Sequence, residues 1–181
     1  MPAVTIARPD ASEYAEYFGR YVSKVPEGDV LALLTRQIDE TTSMLGALNN
    51  EDAEYRYGPD KWSIKEVVGH MADTERIFVY RALCFARRET VALPGFDENA
   101  YVANTSFDDR PLADLLGELR AVRAATIAFF KGLTDAELDH RGTANDREYT
   151  VRAIAYIVAG HERHHSLILR ERYLSAEKQS A

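Results

Sequence analysis

The chain has 181 residues, of which 46% are hydrophobic and 28% charged, and its net charge at pH 7 is −7. This length suits one compact domain with an ordinary core. The acidic balance argues against a nucleic-acid-binding surface, and a single cysteine, Cys84, excludes an internal disulfide framework.

Residues 1–28 are predicted to form an N-terminal extension that packs on the rest of the chain. A short helix within ASEYAEYFGRYVSKVPEG is expected to end at Pro26 and Gly28. The segment MPAVTIARPD lacks the basic and apolar regions of a signal peptide. No apolar run approaches the length of a membrane span. We therefore expect a soluble, cytoplasmic protein that does not bind membranes.

Two amphipathic helices are predicted next. Apolar residues at helical spacing place the first from about Asp29 to Leu48. The second is predicted to run from Ser63 to about Arg87, because Ser63 and Glu66 match the S-x-x-E capping box.

Two further helices are predicted after a long connection, ETVALPGFDENAYVANTSF. The third is predicted to begin near DDRPLADLL, where Asp108 or Asp109 could cap it and Pro111 suits the first turn, and to end at Gly132. The fourth is predicted to follow Thr150 and to end near Leu174.

The fold predicted from these elements is an all-α four-helix bundle over residues 29–175. Strand signals are weak throughout, and four long amphipathic helices must bury their apolar faces against one another. The long connection favours a crossover between helices two and three over a simple up-and-down series. Residues 176–181 are predicted to be a C-terminal tail.

Three of the five histidines lie in AGHERHHSLILRERYL, residues 159–174. His161 and His165 continue an apolar stripe of the fourth helix that begins at Val151. They lie one turn apart on the same face, a spacing at which two imidazoles can bind one metal ion. His164 is about 100° around the helix from His165 and is less suited as a ligand. Hydrogen-bonded core histidines remain the alternative.

The letters H-E-R-H-H also match the H-E-x-x-H motif of zinc peptidases, in which Glu162 would be the general base. The extended motif fails, because Ile168 and Glu171 stand where glycine and a third histidine are required. No strand is predicted that could align a peptide substrate. A peptidase site is therefore disfavoured.

His70 lies at the edge of the apolar stripe of the second helix, between Glu66 and Asp73. An edge position suits a residue that reaches into a cavity between helices. It suits an ordinary half-buried histidine equally well.

Three segments, in this order, resemble the DinB-like (DinB/YfiT) superfamily of bacterial four-helix-bundle proteins. They are KWSIKEVVGHMADTER at 61–76, LPGFDENAYV at 93–102 and VRAIAYIVAGHERHHSLIL at 151–169. The resemblance covers about residues 29–174 and implies one divalent metal ion per chain, held by His70, His161 and His165. Zinc or nickel is the expected metal, and iron or manganese would also fit. Three protein ligands and an open position are typical of a catalytic site.

The resemblance also places further residues near this metal. Glu66, Asp73 and Glu162 are candidates to accept hydrogen bonds from metal-bound imidazoles. The connecting segment 93–107 could shape a pocket or could be only a structural crossover. Its candidate pocket residues are Phe96, Asp97, Tyr101 and Asn104.

Members of the resembled family include thiol S-transferases that use bacillithiol, and related domains occur in mycothiol-dependent isomerases. The resemblance therefore implies a metal-dependent transferase that acts on a small thiol and an electrophilic substrate, and a homodimer. The thiol would come from the cosubstrate, because Cys84 is predicted to be a core residue. Two alternatives stay open: a non-catalytic, stress-related protein that binds metal or a small ligand, and a metal-dependent hydrolase.

Overall fold

The computed structural model describes residues 5–175, and the predicted tail, residues 176–181, lies outside them. The α-helices are α1 (Gly19–Val22), α2 (Val30–Leu45), α3 (Ile64–Ala86), α4 (Glu98–Ala103), α5 (Leu112–Lys131), α6 (Asp135–Leu138) and α7 (Val151–Ile168). The strands are β1 (Arg141–Ala144) and β2 (Arg147–Thr150), and a π-helical turn, Leu169–Tyr173, continues α7. Within residues 5–175, no helix is long and apolar enough to cross a membrane.

The four long helices α2, α3, α5 and α7 form a bundle, which confirms the predicted all-α fold. The helix pairs that pack together are α3–α5, α3–α7, α2–α5 and α2–α7. The order around the bundle is therefore α2–α5–α3–α7, and the links from α2 to α3 and from α5 to α7 join opposite corners. The long connection between α3 and α5 carries α4.

The predicted helix starts are confirmed for α2 and α3, and α5 also begins within the predicted stretch DDRPLADLL, but its predicted aspartate cap is wrong. Asp29 caps α2, and Ser63 with Glu66 forms the capping box of α3. Helix α5 instead begins after Pro111 without a side-chain cap. The carboxylate of Asp108 is not available to α5, because it accepts a hydrogen bond from the Ser63 hydroxyl at the start of α3.

An antiparallel hairpin of β1 and β2 corrects the expectation that the chain has no strands. Asn145 and Asp146 join the strands with φ angles of 52° and 57°, the left-handed values of a two-residue type I′ turn. The buried Tyr149 anchors the hairpin through edge-to-face contacts with Phe18 and Phe85. Strands of four residues are too short to show a clear alternation of apolar and polar residues.

Two apolar clusters fill the bundle, and buried polar side chains separate them. One cluster joins the N-terminal segment to the start of α2, the end of α3 and the first half of α7. The other joins the end of α2, the start of α3, the first half of α5 and the π-helical turn. The buried polar residues between them are termed the polar layer below: Thr41, His70, Thr74, Glu75, Arg123, Thr126, His161 and Glu162.

Helix α1 of the N-terminal segment packs closely on α7. The contact point is Gly160, where an added Cβ would lie 2.1 Å from the carbonyl oxygen of Tyr21. About one turn earlier on α7, the Tyr156 hydroxyl donates to the carbonyl of the buried Ile6 at 3.1 Å. The segment that precedes α2 thus covers α7 beside His161.

Candidate metal centre

Helix α7 supplies two of the candidate ligands. Thr150 caps the helix by accepting a hydrogen bond from the Ala153 amide at 3.0 Å, and the apolar face that follows turns toward the bundle interior. His161 is 7% exposed, and His165 is half-buried one turn later.

Helix α3 supplies the third candidate ligand. Its capping box at Ser63 fixes the first turn, and His70 lies about two turns later on the inner face. Its side chain is buried, with the residue 6% exposed, and the Trp62 ring packs against it with 4.6 Å between ring centroids.

The Nε2 atoms of the three histidines converge. His161 Nε2 lies 3.2 Å from His70 Nε2 and 3.1 Å from His165 Nε2. A tetrahedral metal bound at about 2.0–2.1 Å holds its nitrogen ligands about 3.3 Å apart, so this spacing fits such an ion. Each nitrogen has one in-plane lone pair or hydrogen, so the three cannot all be satisfied by one another. In residues 5–175 this is the one group of three or more histidine, cysteine, aspartate or glutamate side chains that lie close enough to share a metal ion.

Burial keeps these imidazoles neutral, the state that can bind a metal. It lowers the pKa of His70 to about 4. Burial, together with the neighbouring histidines, holds the pKa values of His161 and His165 well below the ordinary value. The Thr74 hydroxyl lies 3.3 Å from His70 Nδ1. If Nδ1 donates its hydrogen to that hydroxyl, the lone pair of Nε2 faces the other two histidines.

Two of the predicted supporting carboxylates have partners other than His70. Glu66 accepts a hydrogen bond from the Ser63 amide at 2.8 Å as part of the capping box. Asp73 accepts one from Arg76 at 3.1 Å on the outer side of α3. The observed hydrogen-bond partner of His70 outside the cluster is therefore a hydroxyl and not a carboxylate.

The third predicted carboxylate, Glu162, is 2% exposed and points into the polar layer. It accepts hydrogen bonds from Arg123 Nη1 and from the Thr41 hydroxyl, each at 2.7 Å. Arg123 also donates to Glu75. Burial lowers the pKa of Arg123, but Glu75 and Glu162 outweigh it, so this pKa lies above its ordinary value. Glu162 does not line the cavity described next, so it is not placed to act as the base of a peptidase site.

A cavity of about 270 Å³ opens beside the three histidines. Helices α3 and α7, the N-terminal segment, the hairpin and the connection before α4 all contribute to its walls. Besides the three candidate ligands, the lining includes the aromatic residues Tyr17, Phe18, Tyr21, Trp62, Phe78 and Phe96, and also His164.

One of the four predicted pocket residues, Phe96, lines this cavity. Asp97 instead caps α4 by accepting backbone hydrogen bonds. Tyr101 packs on the Phe96 ring with 5.2 Å between centroids, and Asn104 hydrogen-bonds to the backbone of α4. The segment therefore contributes to the pocket through Phe96 and the neighbouring Glu98, and its other polar residues stabilise α4.

Several wall residues lie outside the sequence-based predictions. Arg81 lies about three turns after His70, so helical periodicity could have placed the two on one face of α3. Trp62 lies within a segment that carries the family resemblance. Tyr21 and Arg147 had no such signal, because they come from the N-terminal segment and from the unpredicted hairpin.

Comparison with known proteins agrees with this fold. Residues 33–169 match the model of the DinB superfamily. The chain is 24% identical over 135 residues to a candidate metal-dependent hydrolase of Oceanobacillus iheyensis. The matched region covers 72% of this chain and 78% of that relative.

Two solved structures share the fold. YfiT from Bacillus subtilis, itself a candidate metal-dependent hydrolase with an unusual four-helix bundle topology, superposes with a TM-score of 0.72 at 18% identity, covering 91% of this chain and 90% of YfiT. A mycothiol-dependent maleylpyruvate isomerase superposes with a TM-score of 0.65 at 12% identity, covering 81% of this chain and 61% of the isomerase. Because the family model spans most of the chain and includes all three histidines, this protein belongs to the DinB superfamily.

Proposed function

We propose that this protein binds one divalent metal ion through His70, His161 and His165 and transfers a small thiol to an electrophilic substrate. The observation that carries the proposal is the convergence of three neutral imidazoles in the wall of a cavity. A metal bound there would supply a Lewis acid that lowers the pKa of a thiol or of water. The all-imidazole set favours zinc or nickel; it also suits iron, and manganese prefers oxygen ligands.

The cavity walls favour a reaction in which the ligand brings its own nucleophile. Cys84 does not line the cavity, so the protein offers no thiol of its own there. A bound metal can itself ionise water, and a base within hydrogen-bond reach of that water assists hydrolysis. Among residues 5–175, the bases in the lining besides the three candidate ligands are Glu98, which is exposed at the start of α4, and His164. A thiol, with an ordinary pKa of about 8.5, ionises far more readily than water. Its ionisation therefore depends less on a base in the cavity wall.

Metal-dependent hydrolysis is the second candidate function. It is favoured by the candidate activity of the Oceanobacillus relative and of YfiT. A protein that binds metal or a small ligand without turnover is the third candidate. The three differ in what they consume, so one set of assays separates them.

The test uses protein purified without a histidine tag, with metal content measured by elemental analysis. It is incubated with 1-chloro-2,4-dinitrobenzene and bacillithiol, mycothiol or cysteine, and separately with p-nitrophenyl acetate without thiol. Equal losses of thiol and electrophile that disappear in His161→Ala support the transferase. Ester cleavage without thiol supports the hydrolase, and bound metal with neither reaction supports the binder. Transfer that survives complete metal removal contradicts the proposal.

We also propose a homodimer, as the family resemblance implies. Tyr80 and Leu83 lie one turn apart on α3 and are 56% and 42% exposed, so their apolar surface is available to a second copy. Sedimentation velocity should give the mass of two chains, and Leu83→Glu should reduce it to one. A monomer at every concentration would contradict the proposed homodimer and would leave the proposed metal site unaffected.

A further inference from the structure

Three arginines, Arg20, Arg81 and Arg147, line the cavity beside the histidines. Arginine is usually held by carboxylates in this protein, as in the pairs of Arg56 and Arg123. None of the three cavity arginines forms an ion pair with a carboxylate of residues 5–175. Their charges therefore remain uncompensated at the cavity wall.

Arg81 is the most informative of the three, because it is buried, with 4% of the residue exposed. Its Nη2 donates to the Pro94 carbonyl at 2.9 Å, and its guanidinium lies over the rings of Phe78 and Phe96. A guanidinium has five N–H donors, and the Pro94 carbonyl and the neighbouring Tyr149 hydroxyl account for only part of them, so the rest remain for whatever enters the cavity. A buried cation without a counter-charge is costly, and an anionic ligand would remove that cost.

Arg147 and Arg20 are held by aromatic rings and not by acids. Their guanidinium carbons lie 4.3 Å and 3.9 Å from the centroid of the same ring, Tyr17. Stacking of this kind leaves the N–H edge of the Arg147 guanidinium free to bind a carboxylate or phosphate, whereas Arg20 Nη2 donates to the hydroxyls of Tyr17 and Tyr21. Two positive charges on one ring, without an acid between them, add to the field of Arg81.

The charge of the cavity is opposite to that of the whole protein. The chain carries a net charge of −7, whereas the lining holds three arginines and one acid, Glu98. A cleft lined by one sign of charge concentrates ligands of the other sign. Aromatic walls such as Trp62 and Phe78 suit an apolar portion of the same ligand.

From this arrangement we infer that the cavity binds a small organic anion, with Arg81 and Arg147 forming the subsite for its carboxylate or phosphate group. The inference rests on the proposed function in one respect only, which is that the reaction takes place at the three histidines beside this subsite. It assigns a substrate or cosubstrate class, an anion with an apolar or aromatic portion, that neither the three histidines nor the family membership specifies.

The single tryptophan of the chain, Trp62, reports on this subsite, because it lines the cavity and packs on His70. Metal-free and zinc-loaded protein are each titrated with benzoate, phenyl phosphate and the neutral benzamide, and tryptophan fluorescence is recorded. We expect saturable binding of at least one anion. Benzamide should bind at least roughly tenfold more weakly than that anion. The tighter of the two anions identifies the headgroup that the subsite prefers.

Two variants and one control locate the effect. Arg81→Gln and Arg147→Gln should each weaken anion binding by roughly tenfold to a hundredfold, the value of a charge-assisted hydrogen bond. Arg36→Gln makes the same change of charge at an exposed position outside the cavity and should leave the affinity unchanged. If Arg81→Gln fails to fold, Arg147→Gln on the hairpin still tests the subsite.

Equal affinity for benzoate and benzamide, or no effect of either cavity variant, would overturn the inference. Because binding is measured without thiol or turnover, its outcome is independent of the transferase assay. Anion binding without transfer would contradict the proposed function alone. Transfer that shows no preference between charged and neutral substrates would contradict the anion subsite alone.

Discussion

Arg123 Nη1 donates to the Glu162 carboxylate at 2.7 Å, although Glu162 directly follows the candidate ligand His161 on α7. The same guanidinium binds Glu75 on α3. One side chain of α5 therefore ties together the two helices that supply the histidines. We infer that this buried pairing fixes the rotation of α7 and with it the direction of His161.

Removal of Arg123 should destabilise the protein strongly. Arg123→Met leaves Glu75 and Glu162 buried without their cation, and the loss of a partner from a buried pair costs about 3–5 kcal/mol. Urea unfolding measures the difference. Arg120→Met is the matched control, because the pair of Arg120 with Asp39 is exposed and is worth less than about 1 kcal/mol, and its hydrogen bond to the Thr42 hydroxyl leaves no buried charge behind when it is lost. A similar loss in both variants would contradict the assigned role.

Metal binding should depend on His161 and not on His164. His161→Ala removes the nitrogen that lies 3.2 Å and 3.1 Å from the other two ligating atoms. We expect about one zinc ion per chain in the wild type, and an affinity at least about a hundredfold weaker in the variant. Competition with a chromogenic chelator measures the affinity. His164→Ala removes an imidazole that lines the cavity outside the cluster, and it should retain the metal.

The metal-free protein should lose stability as pH falls from about 7 to about 4.5. Burial lowers the pKa of His70 to about 4, whereas the unfolded chain titrates near about 6.5. The unfolded state therefore binds the extra proton in this window, and His70 alone accounts for about 2.5 kcal/mol of lost stability at the acidic end. His161 and His165 act in the same direction.

Urea unfolding at pH 8, 6 and 4.5 checks this dependence. His70→Gln should reduce the slope of the curve, because glutamine does not titrate, and His161 and His165 should account for the slope that remains. A flat wild-type curve would show that the three imidazoles are not held neutral by burial.

Gly160→Ala should separate the N-terminal segment from α7. An alanine Cβ at this position would lie 2.1 Å from the Tyr21 carbonyl, so the backbone of α1 must move. Overpacking of this kind costs about 1–3 kcal/mol, and the shift withdraws Tyr21 from the cavity wall. Unfolding and limited proteolysis at residues 5–28 measure both effects.

Gly117→Ala is its control on α5. Nothing lies within 4 Å of the added Cβ there, and alanine favours a helix over glycine by about 0.8–1.0 kcal/mol. This variant should be as stable as the wild type or more stable. Equal behaviour of the two alanine variants would exclude the close contact at Gly160.

The four helices were predictable because each carries its own apolar period, and the capping residues of α2, α3 and α7 mark where those helices begin. The spacing of His161 and His165 placed both on the inner face of α7, and the family resemblance added His70. The partner of Glu162 was not predictable, since Arg123 is 39 residues away and on another helix. The walls contributed by Tyr21 and Arg147 were missed for a similar reason. A short segment and a four-residue strand acquire their positions from packing and not from local pattern.

The distance along the chain between His70 and His161 is 91 residues. A metal ion shared by these side chains would act as a cross-link that closes a loop of that length, as a disulfide does in oxidised proteins. Any unfolding route that separates α3 from α7 must then break a metal–nitrogen bond. The metal would thereby set the lifetime of the folded chain as well as its chemistry, and metal starvation would shorten that lifetime.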